Sequence, residues 1–219
     1  MNPCAFFVTG TDTGVGKTHV AALLLAEWRR RGLRAGAMKP IACGPDGRRD
    51  AEQYAALMNH EQPLDVLNPL YLRDPLAPLV AARLEHRRIH LRAIVAACRL
   101  LSTIYSPLLI EGAGGLLVPI QRNYFVADLA RDLRLPLLVV ARLGLGTINH
   151  TLLTIRQARA MGLNVAGLIL NDIAGRRRGL AERTNITVLP KLCGVPLLGV
   201  VPHGGGAAAA RRIGRRLLR

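Results

Sequence analysis

Short apolar runs alternate with longer amphipathic segments along the chain. Runs at 4–9, 34–38, 107–110, 137–141, 164–170 and 197–201 read as strands. Those at Leu108-Leu109-Ile110, Leu137 to Val140 and Val165 to Leu170 are near-continuously apolar, as strands covered on both faces are. Segments 17–31, 50–59, 78–86, 91–104, 126–133, 147–161 and 179–188 read as helices. The alternation predicts an α/β fold of the P-loop NTPase type, a doubly wound, mostly parallel sheet flanked by helices, with ligands at the carboxyl ends of the strands. Residues 1–203 read as one domain without linker or repeat. Within them, 61–78 carries Pro63, Pro69, Pro75 and Pro78 and reads as an extended excursion. Residues 204–219, rich in glycine, alanine and arginine, read as a poorly ordered tail.

The first strand runs into Gly10-Thr11-Asp12-Thr13-Gly14-Val15-Gly16-Lys17-Thr18, and a helical pattern follows. Strand, glycine-rich turn, Gly-Lys-Thr and helix is the layout of a phosphate-binding loop. Glycines let backbone N–H groups face phosphate oxygens, and the helix start adds partial positive charge. Lys17 is expected to reach the β- and γ-phosphates, and the Thr18 hydroxyl to ligate Mg²⁺. The spacing is irregular: the first glycine precedes Gly16 by one residue more than the usual G-x(4)-G-K-[ST] allows.

If ligands meet the carboxyl ends of the strands, polar residues should follow each strand, and they do. Lys39 closes the second strand and suits an anionic substrate or developing phosphoryl charge. Asp50, at a helix start, is either a first-turn acid or a Mg²⁺ ligand beside Thr18. Glu111 follows the strand at 107–110, where nucleotide hydrolases place a metal-binding acid, and Gly112, Ala113 and Gly114 let the backbone approach a ligand. Thr147 or Asn149 can cap the helix after the next strand, whose N-terminus can receive a carboxylate. Asn171-Asp172 fits either a base contact or plain turn chemistry.

Composition narrows the class further. The 219 residues suffice for one α/β domain, and 50% hydrophobic with 20% charged residues describes a globular chain rather than a disordered one. No apolar run is long enough for a membrane helix, and the N-terminus lacks a basic region followed by an apolar core, so a cytoplasmic protein is expected. Cys4, Cys43, Cys98 and Cys193 are scattered and form neither a zinc nor a disulfide pattern. His86 and His90 stand among arginines and read as a solvated basic face. The net charge of +16 raises the question of a polyanionic partner. Only three of the thirty basic residues are lysine, which fits a compositional bias as well as a polyanionic partner; no aromatic residues are interleaved with the arginines, and neither nucleic acid nor membrane is expected as a partner.

Together these segments resemble the dethiobiotin synthetase family. The resemblance rests on Phe7 to Thr18, Lys39-Pro40-Ile41-Ala42-Cys43-Gly44, Asn68-Pro69 with Pro75 and Pro78, Glu111 to Gly115, Leu145 to His150 and Gly167 to Asp172. The longer loop spacing is that family's own form. The resemblance implies an ATP- and Mg²⁺-dependent ligase that carboxylates 7,8-diaminononanoate with CO₂ and closes the ureido ring of dethiobiotin. It implies that Gly14, Val15, Gly16, Lys17, Thr18 and His19 wrap the phosphates. Thr18, Asp50 and Glu111 would hold Mg²⁺, and Lys39 would be the active-site lysine. Asn171 with Asp172 would read adenine, and Pro202, His203 and Gly204 would line the base pocket. Thr13, Lys39 and Cys43 would meet the substrate, and Gly146, Thr147 and Asn149 would take its carboxylate across a homodimer interface. Two departures stand out. Cys43 replaces a hydroxyl residue, and the chain after Pro202 turns to glycine, alanine and arginine where the family continues with a helix. The competing class is a P-loop ATPase switch of the partition or division-site type, but such proteins carry a second lysine early in the loop, and residues 11–15 hold none.

Overall fold

The computed structural model describes residues 4–175 and 179–218. Residues 1–3 and 176–178 of the expected domain and the last residue of the expected tail lie outside them. Six parallel strands form the central sheet: β1 (Ala5–Gly10), β2 (Gly36–Met38), β5 (Leu108–Gly115), β8 (Leu137–Arg142), β9 (Val165–Asn171) and β10 (Leu197–Val201). Their order is β10-β9-β8-β1-β5-β2. All six residues of β1 are buried, as the apolar run predicts for a strand covered on both faces. Chain order reverses around β1, with β5 on one side and β8 on the other, so the crevice above its carboxyl end is the topological switch point.

The helices are α1 (Lys17–Arg30), α2 (Gly47–Leu57), α3 (Leu64–Leu67), α4 (Pro78–Leu84), α5 (Leu91–Ile104), α6 (Val126–Leu133), α7 (Thr147–Ala160), α8 (Leu180–Cys193) and α9 (Ala207–Leu217). The expectations for 91–104 and 126–133 match in full, and α2 starts three residues earlier than the pattern suggested. Among the described residues no helix is long and apolar enough to cross a membrane.

Three expectations are corrected. The four-proline excursion at 61–78 contains α3 and a short strand, β4 (Leu70–Leu72), which pairs in parallel with β3 (Ile41–Cys43). These strands are three residues long, too short for periodicity to reveal. Next, β5 does not end at Ile110 but continues through Glu111 to Gly115, with Glu111 in register with Val8 and Gly115 with Gly10. Glycine makes this possible: a Cβ on Gly112 would lie 2.8 Å from both Phe7 and Val126. A short antiparallel pair, β6 (Pro119–Gln121) and β7 (Tyr124–Phe125), follows.

The third correction concerns the tail. Residues 207–217 form α9, which buries Ala209, Ala210, Ile213 and Gly214 against α1 and β10. These positions recur at helical spacing, but three of the four are alanine or glycine, which hides the stripe in the sequence. Close approach is what they provide. A Cβ on Gly214 would stand 2.8 Å from Trp28 Nε1, and that nitrogen donates to the Gly214 carbonyl at 3.4 Å. Trp28 on α1 is fully buried as a result. The helix absent from the sequence reading is therefore present, and the second departure from the family pattern disappears.

Candidate active site

The carboxyl ends of β1, β2 and β5 converge on a cavity of about 670 Å³, ample for a small ligand. From the loop come Thr13, Gly14, Gly16, Lys17 and Thr18; from the other strands and α2 come Lys39, Cys43, Asp50, Glu111, Ala113 and Gly114. Pro75, Leu76, Ala77 and Pro78, from the end of the excursion, form the opposite wall. The β3–β4 pairing brings them there.

Gly16 is the N-cap of α1, in the left-handed region at φ 87°, and no side chain caps the helix. The first-turn N–H groups of α1 are thus left for an anion. Lys17 is buried and folds back to donate to the Asp12 carbonyl at 3.1 Å. Burial pushes its ammonium down to about 8 against the pull of Glu111, and neighbouring Lys39 adds to the lowering.

Glu111 is the hub of the site. It is 1% exposed, and both carboxylate oxygens are engaged. Oε1 accepts from the Thr18 hydroxyl at 3.0 Å and from Lys39 Nζ at 2.5 Å, while Oε2 accepts from the Tyr54 hydroxyl. Lys39 also donates to Asp50 Oδ2 at 2.7 Å. Burial alone would lower the Lys39 pKa, but Glu111 and Asp50 more than offset it, and Nζ is held above its ordinary value. It remains an ammonium at neutral pH. The backbone of Lys39 is fixed as well: its N–H donates to the Leu67 carbonyl at 2.9 Å, and Asn68 Nδ2 donates to its carbonyl at 2.7 Å.

The donor set of Thr18, Asp50 and Glu111 is all oxygen, two of the three anionic, which fits Mg²⁺. Among the described residues no group of three or more acids, histidines or cysteines stands together to hold a metal alone. A magnesium ion here would need nucleotide phosphates to complete its shell, which is how this cation usually binds.

Other expected residues lie around the cavity rather than in it. Asn171 ends β9 and is buried, and its Nδ2 donates to the Val15 carbonyl at 3.0 Å, so this side chain fastens the phosphate loop from behind. A Cβ on Gly16 would fall 2.0 Å from that nitrogen, a second reason for glycine there. Asp172 is buried beside it, and His19 is exposed on α1. Pro202, His203 and Gly204 follow β10 and are exposed, with the His203 ring packed over Gly175 in the segment after β9. Gly112 faces Phe7 and Val126 in the core, so packing rather than a ligand demands glycine there.

The start of α7 differs from the expectation of a side-chain cap. Gly146 is the N-cap, at φ 88°, and neither Thr147 nor Asn149 caps the helix. Thr147 is fully buried with its hydroxyl 3.5 Å from that of Thr151, and Asn149 is exposed. The first-turn amides are again left without a side-chain partner. Cys43 is half-buried, and burial, with Glu85 adding, pushes its thiol up to about 11, so it stays protonated.

Two residues of this site escape sequence reasoning. Tyr54 lies four residues after Asp50, on the same face of α2, but its ring reads simply as core. Asn68 stands with Pro69 in the family resemblance, but nothing in the sequence assigns its side chain a role.

A glycine loop at a helix start, a strand-borne acid and two lysines at the switch point define a P-loop nucleotide-binding protein. A family profile described as an AAA domain matches residues 5–209. Among solved structures, the cell division ATPase MinD of Pyrococcus furiosus superposes with a TM-score of 0.66 at 16% identity, covering 100% of this chain and 99% of that one. A ParA family ATPase from Chlorobium tepidum gives 0.57 at 12%, covering 99% and 98%. At such identities the fold alone is shared. Sequence relatives are more specific. The ATP-dependent dethiobiotin synthetase of Bacillus licheniformis is 44% identical over 90% of this chain and 85% of that protein. That of an Anaeromyxobacter species is 50% identical over 76% and 75%, and that of Methanocaldococcus jannaschii 37% over 89% and 92%. The chain belongs to the ATP-dependent dethiobiotin synthetase family.

Proposed function

We propose that this protein is a dethiobiotin synthetase that works as a homodimer in the cytoplasm, with a single reaction centre at the Lys39–Asp50–Glu111 cluster beside the phosphate loop. The substrate is 7,8-diaminononanoate. One amine takes up CO₂ to give a carbamate, whose oxygen attacks the γ-phosphorus of ATP and displaces ADP. The neighbouring amine then closes on the carbonyl of the resulting mixed anhydride and releases phosphate. Two anions must meet in line for this to happen, so the protein's task is to hold cations between them.

Lys17 and the first turn of α1 hold the polyphosphate. Lys39 is the ammonium placed between carbamate and γ-phosphate, and its retained proton suits it to stabilise charge rather than to act as a base. Thr13 and the protonated Cys43 donate hydrogen bonds to the substrate head. Thr18, Asp50 and Glu111 would hold Mg²⁺, which when bound supplies positive charge to the β- and γ-phosphate oxygens. Asn171, Asp172 and the segment Pro202 to Gly204 surround adenine. The open amides at Gly146 to Asn149 take the substrate carboxylate from the facing copy. Leu145 and Leu153, 84% and 61% exposed at and along the start of α7, supply apolar area for that copy.

The observation that carries this reading is the buried Lys39 ammonium held between Asp50 and Glu111 on the cavity floor. Purified protein given 7,8-diaminononanoate, bicarbonate and Mg-ATP should release phosphate in proportion to the diamine. Release that is independent of the diamine would remove the assignment.

A further inference from the structure

We infer that Tyr54 is a positioning residue that sets the orientation of the Glu111 carboxylate and, through it, the strength of Mg²⁺ binding with the nucleotide. This rests on the reading of Glu111 as a magnesium ligand and adds a residue that the reaction scheme does not use.

The geometry is specific. Glu111 sits within β5 rather than on a loop, so its backbone is fixed by pairing with β1 and only side-chain rotation is left. Three donors reach its carboxylate, and they divide between the two oxygens. Thr18 and Lys39 both bond Oε1, and Tyr54 alone bonds Oε2. The Tyr54 phenol is fully buried and donates to Glu111, with the Thr18 side chain also within its hydrogen-bonding reach, so its placement is tied to that pair. With Oε2 held from the α2 side, Oε1 is directed at Thr18 and the phosphate loop, where the metal belongs.

The helix supplies a second link. Asp50 and Tyr54 are one turn apart on the same face of α2. One helix therefore delivers both an anion to Lys39 and the anchor of Glu111. Any displacement of α2 moves Asp50 and Tyr54 together, so the position of Asp50 and the hold on Glu111 change in concert. Removing the hydroxyl would leave Oε2 buried without its donor and let the carboxylate turn about Oε1, which Thr18 and Lys39 still hold. Partners that hold a metal ligand from behind typically matter by tenfold or more.

The test uses Tyr54→Phe, which keeps the ring and removes the donor, with ADP titrated calorimetrically with and without Mg²⁺. Metal-free ADP should bind as in wild type, while Mg²⁺-dependent ADP binding weakens about tenfold. The Mg²⁺ concentration for half-maximal phosphate release should rise by a similar factor, with the KM for the diamine changed by less than about threefold. A lowered melting temperature with unchanged Mg²⁺ dependence would overturn the inference and leave Tyr54 a packing residue. Glu111→Gln is measured alongside: if it leaves Mg²⁺-dependent binding unchanged, Glu111 as a ligand fails, whatever Tyr54→Phe does. Should Tyr54→Phe not fold because a buried charge loses its donor, the double variant with Glu111→Gln removes that charge. Tyr54 acts through Glu111, so the double variant should match Glu111→Gln alone, and a further loss of Mg²⁺ dependence would overturn the proposal.

Discussion

The two halves of the sheet's carboxyl edge hold their residues by different means. Over β2, β5 and β1, charged side chains fix one another: Lys39 bridges Asp50 and Glu111, and Glu111 is gripped by Thr18 and Tyr54. Over β8, β9 and β10, backbone groups and single side-chain hydrogen bonds do the placing. Gly146 opens α7 with uncapped amides, Asn171 spends its amide on the loop carbonyl of Val15, and the residues after β10 are exposed. The first half suits chemistry, because preorganised charge needs no rearrangement when a transition state forms. The second suits recognition, since isolated contacts can each be lost without upsetting the rest.

The sharpest way to break this contrast is Lys39→Ala. It should lower turnover by about a thousandfold, in line with the loss of a preorganised electrostatic group. Metal-free ADP should still bind through Lys17 in a calorimetric titration. A variant retaining a tenth of wild-type turnover would mean that Lys39 is merely a structural counter-ion to two acids.

The next effect is on pH. With Lys17 poised at about 8 in the free protein, nucleotide binding should favour its charged form and take up a proton. Affinity should therefore be flat below pH 7.5 and fall as pH rises through that pKa, by up to about tenfold per unit until the pKa of the complex is passed. Titration in buffers of differing ionisation enthalpy reads the proton uptake directly, and Lys39, held above its ordinary value, should stay charged through the same range.

On the recognition side effects should be smaller and confined to binding. Asn171→Ala removes one buried hydrogen bond to the phosphate loop and should weaken ADP binding about tenfold, the size of one such bond. The kcat at saturating ATP should stay near wild type. A large fall in kcat would show that the two halves are coupled through Gly16. Smallest of all is Cys43→Ser. A hydroxyl donates a better hydrogen bond than a thiol, yet both are neutral donors of similar size, so turnover should change by less than about threefold in either direction. A loss greater than that would assign the sulfur a role of its own.

Much of the fold was legible because its signals are local. The six core strands announce themselves as short apolar runs, and β1 with the glycines after it fixes the phosphate loop. Lys17, Thr18 and Glu111 could be found for the same reason: each is defined by its place relative to the end of one strand. Where roles depend on distant neighbours, reading along the chain failed. Tyr54 is 57 residues from the carboxylate it holds, and Asn68 is 29 from the carbonyl it ties down. The α9 helix was misread because its packing face, apart from Ile213, is alanine and glycine, whose small size has value only when another helix lies across them.

By itself, then, the sequence determined the α/β alternation, the phosphate loop with its extra residue, and which residue types stand at each strand end. Those follow from hydrophobic period and backbone freedom, which act over a few residues. Only the tertiary structure decided that Lys39, Asp50, Glu111, Thr18 and Tyr54 form one network, that Asn171 braces the loop from behind, and that the arginine-rich end folds onto Trp28. Such pairings are settled by burial. Once these groups leave water, each charge and hydroxyl must find a partner inside the protein, and the order of strands β2, β5 and β1 decides which partners are within reach.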